Sequence, residues 1–258
     1  INVMPTVHPR YHATDGLPPF WRTMVFDNTG ILVGDRNREG SCALLALDCT
    51  PAGVEQAKQL GAQLIVTHHP VIFHPLKRVN EDAVVYQLIR SDIAVISAHT
   101  NLDIAQGGVN DALASAIGLR DCRGLELLNE QTGAWLGRIG TLPEPLSPEA
   151  FAAHVKSCLN AASVKFAAAP RVIRTVALCS GSGADCLDAA ISTGADALLT
   201  SEVKQHEYLA ATAAGISIFD AGHFDTEDIV IEPLRDYLAK EIPDVHFFTT
   251  HRSAIQAI

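Results

Sequence analysis

The chain has no basic clusters. Its 258 residues hold 19 Lys and Arg against 29 Asp and Glu, a formal net charge of −10, and nowhere do Lys and Arg gather into a patch. A duplex nucleic-acid surface needs such clusters to neutralise phosphates, so that class of partner is argued against. The acidic balance suits a cation site or a small-molecule substrate. Long hydrophobic runs are missing too. No uninterrupted apolar stretch approaches the ~18 residues of a membrane helix, so no membrane partner is expected. The start, Ile1-Asn2-Val3-Met4-Pro5, carries neither the basic flank nor the apolar core of a secretion signal, and it does not begin with Met, as in a trimmed chain. A cytoplasmic setting is expected. The cysteines (Cys42, Cys49, Cys122, Cys158, Cys179 and Cys186) include no Cys-x-x-Cys pair. Reduced core thiols are expected rather than disulfides or a zinc knuckle.

What is present is apolar: 48% hydrophobic and 19% charged residues, the composition of a globular chain of one or two domains. Pro5, Pro9, Gly16, Pro18 and Pro19 make residues 1–23 an irregular arm. Residues 24–26 read as a short strand, Asp27-Asn28-Thr29-Gly30 as a turn, and residues 31–33 as a segment that pairs with a neighbouring strand. Then strands and helices alternate. Residues 42–47 form a strand. Thr50-Pro51 is an N-cap with Pro at the first helical position, and Gly61 closes the helix over residues 51–60. Strands come next at 64–67 and 93–97, with helices at 82–91 and 109–117. The second half shows a strand at 134–140, a helix at 148–159, strands at 172–179, 197–200 and 216–220, and helices at 187–194, 206–214 and 229–240. This alternation predicts an α/β fold with largely parallel sheets.

The halves match in detail. Residues 57–67 lie over 190–200 with Gly61-Ala62 in register with Gly194-Ala195. Ala98-His99-Thr100-Asn101-Leu102-Asp103 lies over Gly222-His223-Phe224-Asp225-Thr226-Glu227, each with His, three residues, then a carboxylate. Two α/β strands look alike by chance, but the shared His-x3-acid favours an internal duplication. The expected domains are a first repeat over 24–125, a second over 126–258, and the arm.

The chemistry gathers at strand ends. His68 and His69 end a buried strand, and Pro70 stops it continuing as a central ladder. Alone they are an ordinary polar strand end. Asp103 alone adds little. His223 and Glu227, at i,i+4, share one face if their segment is helical. Together these groups sit at the carboxyl ends of three strands, and parallel sheets cluster those ends on one side. Successive strand residues point to opposite faces, so His68 and His69 grip one ion poorly but reach separate ions near the turn at Pro70. A carboxylate such as Glu227 or Asp103 can bridge two ions ~3.5–4 Å apart. The donors suit zinc, iron, manganese or nickel without choosing among them. His99 and His206 are candidates for proton transfer or substrate contact. Glu202 and Lys204 read as a pocket wall or a solvated helix entry, and His74 as a rim residue. Gly181-Ser182-Gly183 is either an anion cradle or a tight turn.

Several segments resemble the NIF-three-like family, whose members are often called GTP cyclohydrolase 1 type 2 homologues. They are Val66-Thr67-His68-His69-Pro70, residues 98–103, Gly107-Gly108-Val109-Asn110-Asp111, and Asp220-Ala221-Gly222-His223-Phe224-Asp225-Thr226-Glu227. Asp27-Asn28-Thr29-Gly30 with Val33-Gly34-Asp35 resembles that family's early motif, and Gly181-Ser182-Gly183 its glycine loop. The resemblance spans residues 24 to 240. It implies duplicated, intertwined α/β units with mixed sheets, ring-shaped hexamers, and a dinuclear metal centre on His68, His69, Asp103, His223 and Glu227. The family usually opens with a helix where residues 1–23 are Pro-rich here, and has Trp at Phe26 and Arg at His74. The expected activity is metal-dependent hydrolysis of a small molecule or nucleotide, with GTP ring opening the named version. The alternative is a non-catalytic regulatory or scaffold protein that binds metal.

Overall fold

The computed structural model describes residues 27–255. The expected arm over 1–23 and the strand over 24–26 lie outside them. In chain order, β1 (Gly30–Val33) and β2 (Cys42–Ala46) precede α1 (Pro51–Leu60) and β3 (Leu64–Thr67). Next come α2 (Val84–Arg90), β4 (Ala94–Ser97) and the short α3 (Thr100–Ile104). The chain continues with α4 (Val109–Ala116), β5 (Arg120–Asn129), β6 (Ala134–Leu146), α5 (Pro148–Leu159), β7 (Lys165–Ala167) and β8 (Ile173–Leu178). After α6 (Leu187–Ser192), β9 (Ala197–Thr200), α7 (Gln205–Ala213), β10 (Ser217–Asp220) and α8 (His223–Glu227), it closes with α9 (Ile231–Glu241) and β11 (His246–Thr250).

Two compact units result. One comprises residues 27–106 with Ile231–Arg252, the other Gly107–Val230 with 253–255. The first holds a five-stranded sheet in the order β1-β4-β3-β2-β11. β11, β2, β3 and β4 run parallel, and β1 lies antiparallel on β4. β2, β3 and β4 are buried at every residue, which is why they read as continuous apolar runs rather than alternations. Val54 and Ala57 of α1 and Leu88 of α2 pack with Leu44, Ile65 and Val95. Thr50 caps α1 through its side chain, accepting from Gly53 N–H at 3.1 Å, and Gly61 ends the helix at φ 66°.

The second unit holds a six-stranded sheet in the order β5-β6-β8-β9-β10-β7. Only β8, β9 and β10 are parallel; β5, β6 and β7 add antiparallel edges. Helices cover both faces. Leu113, Phe151 and Val155 pack with Val176, Leu199 and Phe219, while Leu187, Ala190 and Ala211 pack with Ala177, Leu198 and Ile218. The Asn110-Asp111 pair at the start of α4 is structural here. Asn110 Oδ1 accepts the Ser180 N–H at 2.9 Å, and Asp111 accepts from Gly107 N–H and from the Arg138 guanidinium. No helix among the described residues is long and apolar enough to cross a membrane.

Candidate metal centre

The backbone of the histidine pair is fixed first. His68 N–H donates to the Ala46 carbonyl at 3.3 Å and His69 N–H to Leu47 at 2.9 Å, so the ladder with β2 runs one step past both strands. The Thr67 hydroxyl, buried against that of Ser97 at 2.8 Å, donates to the His69 carbonyl at 2.8 Å. Pro70 then ends the ladder.

Each imidazole is fixed next, and always through Nδ1. His68 Nδ1 faces the Ala98 carbonyl at 2.8 Å, His69 Nδ1 faces Asp48 Oδ1 at 2.7 Å, and His99 Nδ1 faces Asp27 Oδ1 at 2.7 Å. In the second unit His223 Nδ1 faces Glu202 Oε1 at 3.0 Å. Carbonyls and carboxylates only accept, so these partners take a ring hydrogen at Nδ1, which in a neutral imidazole makes Nε2 the nitrogen that carries the lone pair. Metal-bound histidines are held in this way.

In the first unit, one ligand atom from each of His68, His69 and His99 lies within 4.8 Å of the others. Asp103, one helical turn beyond His99 on α3, puts Oδ1 3.5 Å from His68 Nε2. His68 is fully buried, and His69 and His99 are partly so. In the second unit, the segment carrying His223 and Glu227 is helical, as α8, which meets the condition for the two to share a face, and His223 Nε2 lies 3.0 Å from Glu227 Oε2. Gly181 makes room for this pair: a Cβ there would run into Glu227 Oε1 and stand 3.1 Å from His223 Nε2.

The glycine loop fits the tight-turn reading. Gly181 N–H donates to Thr226 Oγ1 at 3.1 Å and Gly183 N–H to Thr200 Oγ1 at 2.9 Å, so both amides serve the fold. His206 is 76% exposed at the start of α7, with Glu207 at 3.9 Å. His74 is exposed beside Phe73.

Three carboxylates carry roles that the sequence did not reveal. Asp48 lies two residues past the end of β2, the parallel neighbour of β3, beside His69; its position just after a strand was the available signal. Glu202 faces His223 Nδ1 at 3.0 Å and orients that ring. Asp27, within the early motif, supports His99. Burial pushes the Asp27 carboxyl up, but hydrogen bonds from His99 and Thr100 and the His99 charge outweigh it and hold the group at about 2.

A family model described as Duf34/NIF3 (NGG1p interacting factor 3) matches residues 6–255. A "GTP cyclohydrolase 1 type 2 homolog" of Streptomyces coelicolor is 36% identical, covering 87% of this chain and 82% of that protein. One of the same description from Clostridium perfringens is 32% identical over 87% of this chain and 88% of its own. Among solved structures, a hypothetical protein of Staphylococcus aureus superposes with a TM-score of 0.93 at 26% identity, covering 99% of this chain and 100% of that one. A Bacillus cereus protein related to NIF3 gives 0.92 at 24% identity, covering 100% of both, and shares the fold. With a match running nearly end to end, the chain belongs to the Duf34/NIF3 family.

Proposed function

We propose that the protein is a dinuclear metal-dependent hydrolase of a small molecule or nucleotide, with His68, His69, Asp103, His223 and Glu227 holding two divalent ions. The observation that carries this reading is the Nδ1 anchoring of every histidine in that set, which in the neutral imidazoles makes Nε2 the nitrogen able to ligate a cation. Imidazole mixed with carboxylate suits zinc, iron, manganese or nickel. Two such ions supply Lewis acidity and lower the pKa of water toward neutrality.

The residues of the chain divide the remaining work. Asp103 and Glu227 balance the charge of the ions, with Gly181 leaving space for the Glu227 carboxylate. His99 takes the proton released from the attacking water, and exposed His206 is a substrate contact. The name borne by the relatives makes GTP the first substrate to try. The duplication into repeats over 24–125 and 126–258, a cytoplasmic setting and a homo-oligomer, the hexamer in the version the resemblance implies, belong to the same proposal.

Metal analysis tests it, on protein expressed with zinc, iron and manganese supplied, beside a nucleotide panel that includes GTP. Two equivalents per chain are expected, with fewer in Asp103→Asn and Glu227→Gln, and with turnover abolished in Glu227→Gln while the fold persists. No bound metal would overturn the reading. Full metal loading with no turnover, and a lower melting temperature in Glu227→Gln, would replace the hydrolase with a metal-binding scaffold.

A further inference from the structure

The anchor of His99 differs from the others. The Asp48 and Glu202 side chains are 44% and 58% exposed, whereas that of Asp27 is fully covered. Its two oxygens accept four hydrogen bonds. Oδ1 takes His99 Nδ1–H at 2.7 Å and Asn28 N–H at 2.8 Å, and Oδ2 takes Thr100 N–H at 3.0 Å and the Thr100 hydroxyl at 2.5 Å. A carboxylate held by four donors has no freedom to turn away from the ring. The ring itself is bounded by Phe73 edge-on, with centroids 6.0 Å apart at 87°, and by His68 and His69 at 5.3 and 5.8 Å.

We propose that Asp27 is a positioning residue that locks His99 in the Nδ1-protonated tautomer, so that His99 Nε2 acts as the proton acceptor beside the metal ligands rather than as one of them. The inference rests on the hydrolase reading above. An imidazolium formed at His99 lies against a fully covered carboxylate at 2.7 Å, whereas the carboxylate beside His69, Asp48, is 44% exposed, and His68 has a carbonyl at Nδ1 and its nearest carboxylate oxygen, that of Asp103, 3.5 Å from Nε2. In the step, an O–H bond of the attacking water breaks as an N–H bond forms at Nε2, and the water oxygen bonds to the substrate centre while that centre's bond to the leaving group breaks. That proton then passes to the leaving group, and His99 returns to its starting tautomer.

Nitrogen NMR of protein labelled at histidine, with His99 assigned by His99→Gln, tests this without a substrate. The metal-free protein should show His99 as one tautomer, protonated at Nδ1. Asp27→Asn should lose that single state for a mixture, and Thr100→Val, which keeps the carboxylate but removes one donor, should do so in part. Added zinc should shift Nε2 of His68, His69 and His223 and leave that of His99 in place. A zinc shift at His99 would make it a ligand and overturn the proposal, as would an unchanged tautomer in both variants. If zinc moves no histidine, the metal reading falls, while the tautomer comparison still decides the role of Asp27.

Discussion

Glu202 holds its residue in the left-handed region, at φ 55°, where a side chain with a Cβ costs roughly 1–2 kcal/mol. The same residue anchors His223. Backbone strain kept at a position that orients a proposed ligand is the pattern of a site that trades stability for geometry. Glu202→Gly should therefore raise the melting temperature, by the equivalent of up to ~1 kcal/mol once the extra chain entropy of glycine is counted. It should also weaken metal binding about 10–100-fold, as losses of such supporting groups do. Glu202→Gln, which keeps both the strain and an acceptor, should do neither. Thermal melts beside chelator competition separate the two effects, and a Glu202→Gly protein with unaltered metal affinity would sink the idea. Asp27 gives a pH signature. Its folded value of about 2 lies below the ordinary 3.8, so its contribution is present above about pH 4 and disappears as pH falls toward 2. The contribution is on the order of 1 kcal/mol, because solvent near the ring screens the pair. The stability gap between the native chain and Asp27→Asn should be flat above pH 4 and close below it. A gap that persists at pH 2 would refute the assignment.

At the scale of elements, the sequence match between the halves corresponds to matching hydrogen bonds. Gly61 N–H reaches the Lys58 carbonyl and Ala62 N–H reaches Ala57, while Gly194 N–H reaches Ile191 and Ala195 N–H reaches Ala190. Both glycines are left-handed, at φ 66° and 76°, and each helix hands over to a fully buried strand. His99 and His223 both stand at the entry to five-residue helices. These elements were legible because caps and buried parallel strands leave strong local marks. β5, β7 and β11 were not. β5 is mostly exposed and alternates poorly, with register shifts near both ends; β7 is three residues long; β11 is a polar-aromatic edge. Edge strands owe their existence to the ladder beside them, which no local pattern records. The proposed metal site divides in the same way. His68, His69, Asp103, His223 and Glu227 were named from spacing, whereas Asp48 and Glu202 became visible only when the strand order brought them beside their histidines.

At the scale of the molecule, the chain leaves its first unit after residue 106 and returns to it at Ile231. The return supplies α9, whose Ile231, Leu234 and Leu238 are buried at helical spacing, and β11, which pairs in parallel with all of β2. Without β11, β2 would become an edge strand whose five residues are all buried in the intact protein, an apolar edge of the kind that invites aggregation. A chain ending at Glu241 should lose several kcal/mol from its first unit, through the lost ladder and the lost burial of Ile242, Val245 and Thr250, which go with the deleted segment. The loss should be local. The second unit is built from the contiguous stretch Gly107–Val230, apart from residues 253–255, and its β8, β9 and β10 do not depend on the missing strand. Amide exchange on the truncated chain should therefore accelerate about 100-fold or more in β2 and β3 and stay near its native rate in β9 and β10. Unchanged exchange in β2 would mean that β11 is dispensable to the first sheet. Equal acceleration in β9 and β10 would mean that the units unfold as one cooperative body despite their separate cores.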